Sequence, residues 1–508
     1  MPKTIVVGLD GANYELVEKY IDEGELPNLE RILSEGTTGD LESVLPPVTS
    51  PNWKAYSTGM NPGKIGIFWW LNVDTENGRV YLPSERYHEN TEFWEIIGRS
   101  EPVGVMGMPT TFPPKSVDTP DSFVVAGAPD ASDSGFAWPS EVEEELVNRF
   151  DYRVSRINRS KDEDETAYEE ELELIDQRFR AAKHLLAERD VSFLQVTTFY
   201  INSLHHHLWD SEYTRRGWKI IDEHLGEFLD EGHDLVLMSD HGHNEIQTVF
   251  RVNTWLQEQG YLRFDNQVAD ALRTVGVNSD RINRLVSTVD GRLSGIHVKD
   301  TLERVTPQWM INNLADEDGR MGRNKLENAD WEHTDVVGSA QGPLYLNVAS
   351  EERYESLRAE LIERLESLTD PAGRPIAREV FRGEELFHGK YADEAPDLMI
   401  DQASNVHISD KLGYDSAFSD TDEDWNGVNT RSGLFAAIGP SFGTGDIGTL
   451  SILDLAPTLL HLRGYAVPPD MDGVVRDNVF APDSAPGTRE VEYRNAAHPV
   501  RGDGSRSG

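Results

Sequence analysis

LVLMSDHG, residues 235–242, joins four apolar residues to a carboxylate, an imidazole and a glycine. A short apolar run bounded by polar and turn-forming residues is typical of a buried strand. In an open parallel sheet, ligands collect at the carboxyl ends of the strands, so a functional site is expected at Asp240 and His241. Their oxygen and nitrogen donors suit Zn²⁺ or Mn²⁺. The structural alternative is a capped loop with an incidental histidine.

Three further apolar runs are similar to this strand, and helical periodicity lies between them. The runs are residues 5–9, 193–199 and 434–438. Apolar residues recur at helical spacing from about residue 163 to about 188, and a second helix is predicted near residues 453–460, before Gly464. This alternation predicts an α/β fold in which helices flank a mainly parallel sheet.

The alternation is interrupted between residues 258 and 400, where the chain is more polar. This stretch contains a helical pattern at residues 354–368, followed by the turn-forming sequence Asp370-Pro371-Ala372-Gly373. We therefore predict a discontinuous catalytic core at residues 1–257 and 401–480, with an inserted α+β cap at residues 258–400. Proline, glycine, serine and charged residues dominate residues 481–508, which predicts a disordered tail.

The composition is strongly acidic and lacks cysteine. The chain has 90 Asp and Glu against 47 Lys and Arg, a formal net charge of −43. This charge argues against binding a nucleic-acid backbone, and it resembles the surface charge of halophilic proteins. Because cysteine is absent, a metal site must use Asp, His, Asn or Thr side chains.

The first residues carry no recognisable targeting leader. Met1-Pro2-Lys3 leads directly into an apolar run, and no stretch approaches the about 20 consecutive apolar residues that a membrane span requires. We therefore expect a soluble, cytoplasmic protein. The sequence does not predict its oligomeric state.

Asp10 ends the first predicted strand. Gly11 follows it and lets the backbone turn away while the carboxylate faces the cleft. Taken alone, Leu9-Asp10-Gly11 is also the pattern of an ordinary turn, and Thr49 before Ser50-Pro51 is an ordinary turn residue. The combination of segments decides between these interpretations.

Three segments together resemble the alkaline phosphatase superfamily, specifically its type I phosphodiesterase and nucleotide pyrophosphatase branch. They are Asp10 after the first strand, PPVTSPNW (46–53) leading to TGMNPGK (58–64), and SDHG (239–242). The later sequences GPSF (439–442), LDLAPT (453–458) and DMDG (470–473) are similar to the end of that catalytic domain. The resemblance thus covers about residues 3 to 480 and implies the fold of that superfamily.

The resemblance also implies a chemistry. In that family the threonine corresponding to Thr49 attacks phosphorus with the help of a bound cation, and the asparagine corresponding to Asn52 helps to hold the phosphoryl oxygens. The match places Asp10, Thr49, Asp240 and His241 around that cation. A threonine hydroxyl needs this help because it is a poor nucleophile near pH 7. The implied substrate is a small phosphate ester that is hydrolysed through a phospho-enzyme on Thr49.

Sulfatases of the same superfamily differ at two of these positions. They need a cysteine or serine where Thr49 stands, for conversion to an aldehyde, and an arginine where Trp53 stands. The chain has neither, so sulfate-ester hydrolysis by that mechanism is not expected.

The resemblance is incomplete at a second metal position. Relatives hold a second cation with an aspartate, a histidine four residues later and a further histidine, which correspond here to Asn202, His206 and Asn429. An amide oxygen is a weak ligand for Zn²⁺ and is more acceptable to Mg²⁺, Mn²⁺ or Ca²⁺. We therefore expect one or two divalent cations per chain. A one-residue shift in the match would make a neighbouring histidine of residues 205–207 the ligand.

Three functions remain compatible with this altered position. They are a hydrolase that uses one cation or a hard cation, a phosphotransferase that passes the phosphoryl group to an organic acceptor, and a degenerate protein that binds a phosphometabolite without turnover. The sequence does not distinguish a monoester from a diester or pyrophosphate substrate.

Overall fold

The computed structural model describes residues 2–494 except residues 76, 158–164, 231, 264–328, 413 and 423–424. Its strands, in chain order, are β1 (Thr4–Leu9), β2 (Thr37–Glu42), β3 (Asn72–Asp74), β4 (Arg79–Tyr81), β5 (Val103–Met108), β6 (Phe123–Ala126), β7 (Ala137–Trp138), β8 (Phe193–Thr198), β9 (Asp234–Met238), β10 (Gly242–Glu245), β11 (Thr248–Arg251), β12 (Val336–Gly338), β13 (Pro343–Leu346), β14 (Ala377–Arg382), β15 (Leu398–Gln402), β16 (Val406–Ser409), β17 (Phe418–Ser419), β18 (Gly427–Thr430), β19 (Ser432–Ile438) and β20 (Gly445–Ser451).

The α-helices of the described residues are α1 (Tyr14–Asp22), α2 (Pro27–Glu35), α3 (Thr49–Thr58), α4 (Pro62–Ile65), α5 (Phe93–Ile97), α6 (Ser140–Phe150), α7 (Glu165–Glu188), α8 (Tyr200–Leu208), α9 (Glu212–Asp230), α10 (Val252–Gln259), α11 (Glu351–Glu366), α12 (Gly383–Leu386), α13 (Leu455–Arg463) and α14 (Ala485–Thr488). Short 3₁₀ helices lie at Ser84–His88, Ala392–Glu394, Ile452–Asp454 and Asp477–Val479.

The largest sheet has nine strands in the order β20-β2-β19-β9-β1-β8-β5-β6-β7. Five neighbouring strands, β9, β1, β8, β5 and β6, run parallel, which confirms the predicted α/β class. The predicted strand at residues 434–438 is part of β19, which pairs with β9 antiparallel rather than continuing the parallel set. The carboxyl ends of β1, β8 and β9 meet at one edge of the sheet.

Both faces of this sheet are covered, which explains why β1, β8 and β9 are buried at every position. On one face, side chains such as Leu172 and Phe179 of α7 and Trp218 of α9 form a single apolar cluster with the strands. On the other face, Trp53 of α3 and Phe93 of α5 lie in a second cluster.

The two predicted helices of the core are present. Helix α7 covers residues 165–188 of the predicted 163–188, and residues 163 and 164 lie outside the described part of the chain. Helix α13 ends at Arg463 and is capped by Gly464, whose φ of 82° is in the left-handed region that glycine adopts without strain.

A second lobe contains the sheet β12-β13-β15-β14, against which helix α11 packs. The cap was predicted at residues 258–400, of which 264–328 lie outside the described residues. Its apolar cluster also takes in Leu71, Phe250 and Trp255, which precede the predicted insertion. The lobe therefore draws its core from a wider part of the chain than the polar stretch alone.

The predicted disorder from residue 481 is wrong for residues 485–488, which form α14. Tertiary contacts hold this polar segment: the carbonyl of Pro486 accepts a hydrogen bond from Nε2 of His461 at 3.0 Å, and Val467 bridges to Tyr493. Backbone hydrogen bonds to the core explain this order where composition alone predicts none. Residues 495–508 lie outside the described part.

None of the described helices combines the length and the apolar character needed to cross a membrane.

Candidate metal centre and nucleophile

Asp10 and Asp240 are brought together by strand pairing. β1 and β9 are parallel neighbours in which Gly8 pairs with Met238, so the residues that follow the two strands meet at the same edge. Gly11, with φ of 67°, turns the chain after Asp10, and its N–H donates to Oδ1 of Asp240 at 3.1 Å. The sheet thus places two buried carboxylates side by side.

Thr49 is the first residue of α3 and faces this pair. Its Oγ1 lies 3.4 Å from Oδ1 of Asp10 and 3.3 Å from Nε2 of His241. Trp53, one turn later on α3, donates its Nε1–H to Oδ2 of Asp10 at 2.8 Å. The same helix therefore carries the hydroxyl and a side chain that fixes the orientation of Asp10.

The donor atoms of Asp10, Asp240 and His241 fit a divalent cation. One ligand atom from each lies within 4.8 Å of the others, and all three residues are buried. Nδ1 of His241 donates to the carbonyl of Gly242 at 3.0 Å, so Nε2 carries the lone pair. This lone pair faces carboxylate oxygens of Asp10 and Asp240 at 3.7 and 3.4 Å. Three acceptors in such proximity are stabilised by a cation between them.

The electrostatics of the three side chains agree with this fit. Burial raises the pKa of Asp240 to about 8, and burial followed by repulsion from Asp240 raises the pKa of Asp10. Burial also lowers the pKa of His241, so its imidazole is neutral near pH 7. Oδ2 of Asp240 is buried and has no hydrogen bond. The protein supplies too few donors for two buried carboxylates, as expected of metal ligands.

The three residues of the predicted second metal position also lie near this edge. Oδ1 of Asn202 is 2.6 Å from the point where a Cβ on Gly11 would stand. Asn429 donates its Nδ2–H to the carbonyl of Pro47 at 2.8 Å, and Nδ1 of His206 donates to the carbonyl of Gly427 at 2.9 Å. The amide oxygens of Asn202 and Asn429 are both buried without a hydrogen bond.

This second donor set does not fit another Zn²⁺-type cation. Asn202, His206 and Asn429 bring no negative charge, and burial lowers the pKa of His206 well below its ordinary value. Buried divalent charge without an anionic ligand is costly, so the set is better suited to hydrogen-bond donors or to a harder, weakly held cation.

His243 is a residue of this cluster that the sequence analysis did not single out. It pairs with Asn429 across β10 and β18, donates Nδ1–H to the carbonyl of Gly11 at 3.1 Å, and places Nε2 at 3.3 Å from Nδ1 of His206. The signal in the sequence was a second imidazole two residues after His241. His243 links the backbone behind Asp10 to His206.

Both ring nitrogens of His205 form hydrogen bonds. This argues against His205 as the metal ligand that a one-residue shift in the match of residues 205–207 would imply. Its Nδ1 donates to the carbonyl of Gly11 at 3.2 Å, and its Nε2 accepts from Nε1 of Trp218 at 3.1 Å. Burial lowers its pKa to about 3. With both ring nitrogens occupied, His205 supports the backbone after Asp10 and is not available as a ligand.

The side-chain amide of Asn52 is hydrogen-bonded to backbone groups. Its Oδ1 accepts from the N–H of Val44 at 2.8 Å, and its Nδ2 donates to the carbonyls of Pro46 and Val48 at 3.0 Å each. The amide is therefore occupied by the backbone that precedes Thr49. In the part of the chain that the structure describes, the Asn52 side chain forms no hydrogen bond with Asp10, Asp240 or His241.

Comparisons with known proteins agree with this architecture. A family model described as type I phosphodiesterase / nucleotide pyrophosphatase matches residues 4–430. Phosphonoacetate hydrolase from Sinorhizobium meliloti 1021, in complex with phosphonoacetate, is similar in fold at 16% identity and a TM-score of 0.56, over 90% of this chain and 94% of that chain. Its complex with phosphonoformate gives a TM-score of 0.54 at 16% identity, with the same coverage of 90% and 94%.

Human ectonucleotide pyrophosphatase / phosphodiesterase 5 is also similar, at 14% identity and a TM-score of 0.46, over 91% of this chain and 94% of that chain. No curated protein sequence matches significantly.

Proposed function

The chain belongs to the type I phosphodiesterase / nucleotide pyrophosphatase family, whose members are phosphoric ester hydrolases, and from that premise we propose that it hydrolyses small phosphate esters through a phospho-enzyme on Thr49. The observation that carries this proposal is the position of the Thr49 hydroxyl, 3.3 Å from Nε2 of His241 and 3.4 Å from Oδ1 of Asp10. A threonine hydroxyl is a weak nucleophile and can be activated by a metal ion. The Thr49 hydroxyl lies beside three buried side chains that can bind one.

Asp10, Asp240 and His241 are the residues that would hold the cation. When bound there, a divalent cation lowers the pKa of a neighbouring hydroxyl and neutralises charge on the phosphoryl group. We favour Zn²⁺ or Mn²⁺ for this mixed oxygen and nitrogen set, with Mg²⁺ or Ca²⁺ as alternatives.

The chain's own residues orient the reaction. Thr49 begins α3, and the N-terminus of a helix favours the negative charge of a phosphoryl group. Asn52 and Asn429 hold the segment before Thr49 from two sides, through the carbonyls of Pro46 and Pro47. We therefore assign Asn52 the role of positioning the nucleophile, in place of the phosphoryl contact expected from the resemblance.

The predicted second metal position, formed by Asn202, His206 and Asn429, has no negatively charged side chain. We therefore propose one cation per chain. In two-cation phosphoryl transfer the second cation assists the step in which water removes the phosphoryl group from the enzyme. With Asn202 and Asn429 in that place, attack by Thr49 is retained and the second step is slowed. This favours phosphoryl transfer to an organic hydroxyl as the second candidate function, because a long-lived phospho-threonine gives an acceptor time to bind.

An assay with chromogenic substrates tests the proposal. Monoester and diester substrates are offered at high salt with Mg²⁺, Mn²⁺, Zn²⁺ or Ca²⁺, to the wild type, to Thr49→Ala and to the control Ser50→Ala. Ser50 neighbours Thr49, but the one hydrogen bond of its Oγ among the described residues is with the hydroxyl of Tyr87, at 3.4 Å. Activity that is lost in Thr49→Ala and kept in Ser50→Ala supports the nucleophile. Equal activity in Thr49→Ala and wild type overturns it, and substrate binding without turnover in the wild type favours the degenerate alternative.

The cytoplasmic location stays a prediction from the first residues and the lack of a long apolar stretch, and the adaptation to high salt stays a prediction from the acidic composition.

A further inference from the structure

Arg178 is a buried cation without an ionic partner. It lies in the middle of α7, is 2% exposed, and forms no ion pair within the described part of the chain. Its Nη2 donates to the carbonyl of Val154 at 3.3 Å, and its Nη1 is buried without any hydrogen bond. Buried arginine side chains are normally paired, because an unpaired buried charge is costly. A bound negative charge would stabilise this guanidinium.

The described groups around Arg178 provide no hydrogen-bond acceptor for its Nη1. The carbonyl of Val154 already accepts from the hydroxyl of Tyr200 at 3.1 Å. The guanidinium carbon lies 4.8 Å from the ring centre of Tyr152, whose hydroxyl is also buried without a hydrogen bond. Two neighbouring side chains, Arg178 and Tyr152, therefore each carry a buried donor that has no acceptor among the described residues.

The nearby carboxylates of Glu171 and Asp176 pair with residues other than Arg178, although Oε2 of Glu171 has no hydrogen bond among the described residues. Glu171 lies on the same face of α7, about two turns earlier, and pairs with Nη1 of Arg156 at 3.4 Å. Asp176 pairs with Nε of Arg180 at 2.6 Å and with Nε2 of His224 at 2.9 Å. Burial lowers the pKa of Arg178 to about 10, which leaves the guanidinium charged near pH 7.

We propose that Arg178 and Tyr152 bind one monovalent anion of halide size, between Nη1 of the arginine and the hydroxyl of the tyrosine. Two free donors in a closed setting suit a chloride ion, whereas a phosphate or sulfate needs more donors than are available.

The position of the anion gives it a structural effect. A Cβ added at Gly107 would lie 2.9 Å from Cδ of Arg178 and 2.3 Å from the carbonyl oxygen of Thr197. The stem of Arg178 therefore packs where β5 and β8 end, at the edge of the sheet that carries the metal centre. The anion is independent of the chemistry of Thr49, and it joins α7, β5 and the segment at residues 152–154.

Chloride-dependent unfolding tests the site. Unfolding is followed while sodium chloride replaces sodium gluconate, a bulkier anion, at constant ionic strength. For one site that is lost on unfolding, the ratio of folded to unfolded protein rises about tenfold for each tenfold increase in chloride above its dissociation constant. Arg178→Met removes this dependence. Arg180→Gln is the control, since Arg180 is on the same helix but is exposed and paired with Asp176.

A second measurement decides the case if Arg178→Met does not fold. Crystals of the wild type grown or soaked in sodium bromide give an anomalous bromine peak between Arg178 and Tyr152 if the proposal is correct. No peak at that position overturns it, and so does an equal chloride dependence in folded Arg178→Met and wild type.

Discussion

Oγ1 of Thr49 lies 3.3 Å from Nε2 of His241, the nitrogen that carries the lone pair. This distance and the 3.4 Å from Thr49 to Asp10 are both long for a hydroxyl hydrogen bond. The hydroxyl is therefore surrounded by acceptors without being tightly bound to any of them. A cation shared by these groups explains the arrangement better than a hydrogen-bond network does.

Asp240→Asn is expected to weaken divalent-cation binding by more than about 100-fold, beyond the effect of losing a residue that only orients a ligand. The reason is that Asp240 offers an unpartnered buried oxygen to the cation. Isothermal titration with Zn²⁺ or Mn²⁺ measures the change. Asp210→Asn removes a carboxylate from a surface ion pair with Lys19 and should leave the affinity unchanged. Equal affinities for Asp240→Asn and wild type would remove Asp240 from the site.

The stability of the cation-free protein is expected to fall as the pH rises from about 4 to about 8. Asp240 has a pKa of about 8 in the folded protein and about 4 when unfolded, so the folded state holds an extra proton between these values. This stabilisation is complete below pH 4 and is lost as the pH rises through 8. Urea unfolding in the presence of a chelator measures it, and the fall should be smaller in Asp240→Asn, where, of the two carboxylates, only Asp10 with its raised pKa still contributes. A cation-free protein that gains stability over this range would contradict the assignment.

The fold was predictable because its signal is local. Residues 235–242 show a buried strand and its functional end in one short window, and the first strand before Asp10 repeats the pattern. Pairing partners are not local: residues 434–438 have the same apolar character as a parallel strand, yet their direction depends on how the chain returns to β9. A hydrophobic pattern predicts that a strand is buried, but it does not predict whether the strand runs parallel or antiparallel to its neighbour.

The candidate site was predictable only in part. Asp10, Thr49, Asp240 and His241 come together as the resemblance implied. The actual contacts of Asn52, with backbone groups of its own loop, depend on tertiary geometry that no residue pattern specifies. His243 was not predicted as a site residue, because its role comes from pairing with a strand almost two hundred residues later.

Restoring charge at the second position is expected to create a second cation site. The double variant Asn202→Asp with Asn429→His supplies an anionic ligand and an imidazole where two neutral amide oxygens now lie unbonded. Metal analysis by mass spectrometry should give one divalent cation per wild-type chain and two per variant chain. Asn244→Asp serves as the control because its side chain is half-buried and bonds to Glu15, away from the two amides. Two cations in the wild type would show that the amides coordinate.

Asp370→Asn is expected to destabilise the protein by about 1 kcal/mol near pH 7. The Asp370 carboxylate accepts from Thr248 and from the backbone and side chain of Arg374. Although burial opposes the effect, these hydrogen bonds hold its pKa at about 2. The stabilisation is present above pH 4 and is lost as the pH falls towards 2. Thermal unfolding between pH 2 and 7 measures the difference, which should vanish at the acid end. A difference that persists at pH 2 would contradict the ionic origin.

The most direct test of the central claim is mass spectrometry of Thr49 during turnover. The enzyme is mixed with a phosphate ester and the cation that supports activity, quenched rapidly in acid and digested. A slow second step predicts that a phosphoryl group accumulates on Thr49 in the wild type and is absent from Thr49→Ala, which does not turn over. Turnover without any phosphoryl group on Thr49, or undiminished turnover by Thr49→Ala, would contradict the account.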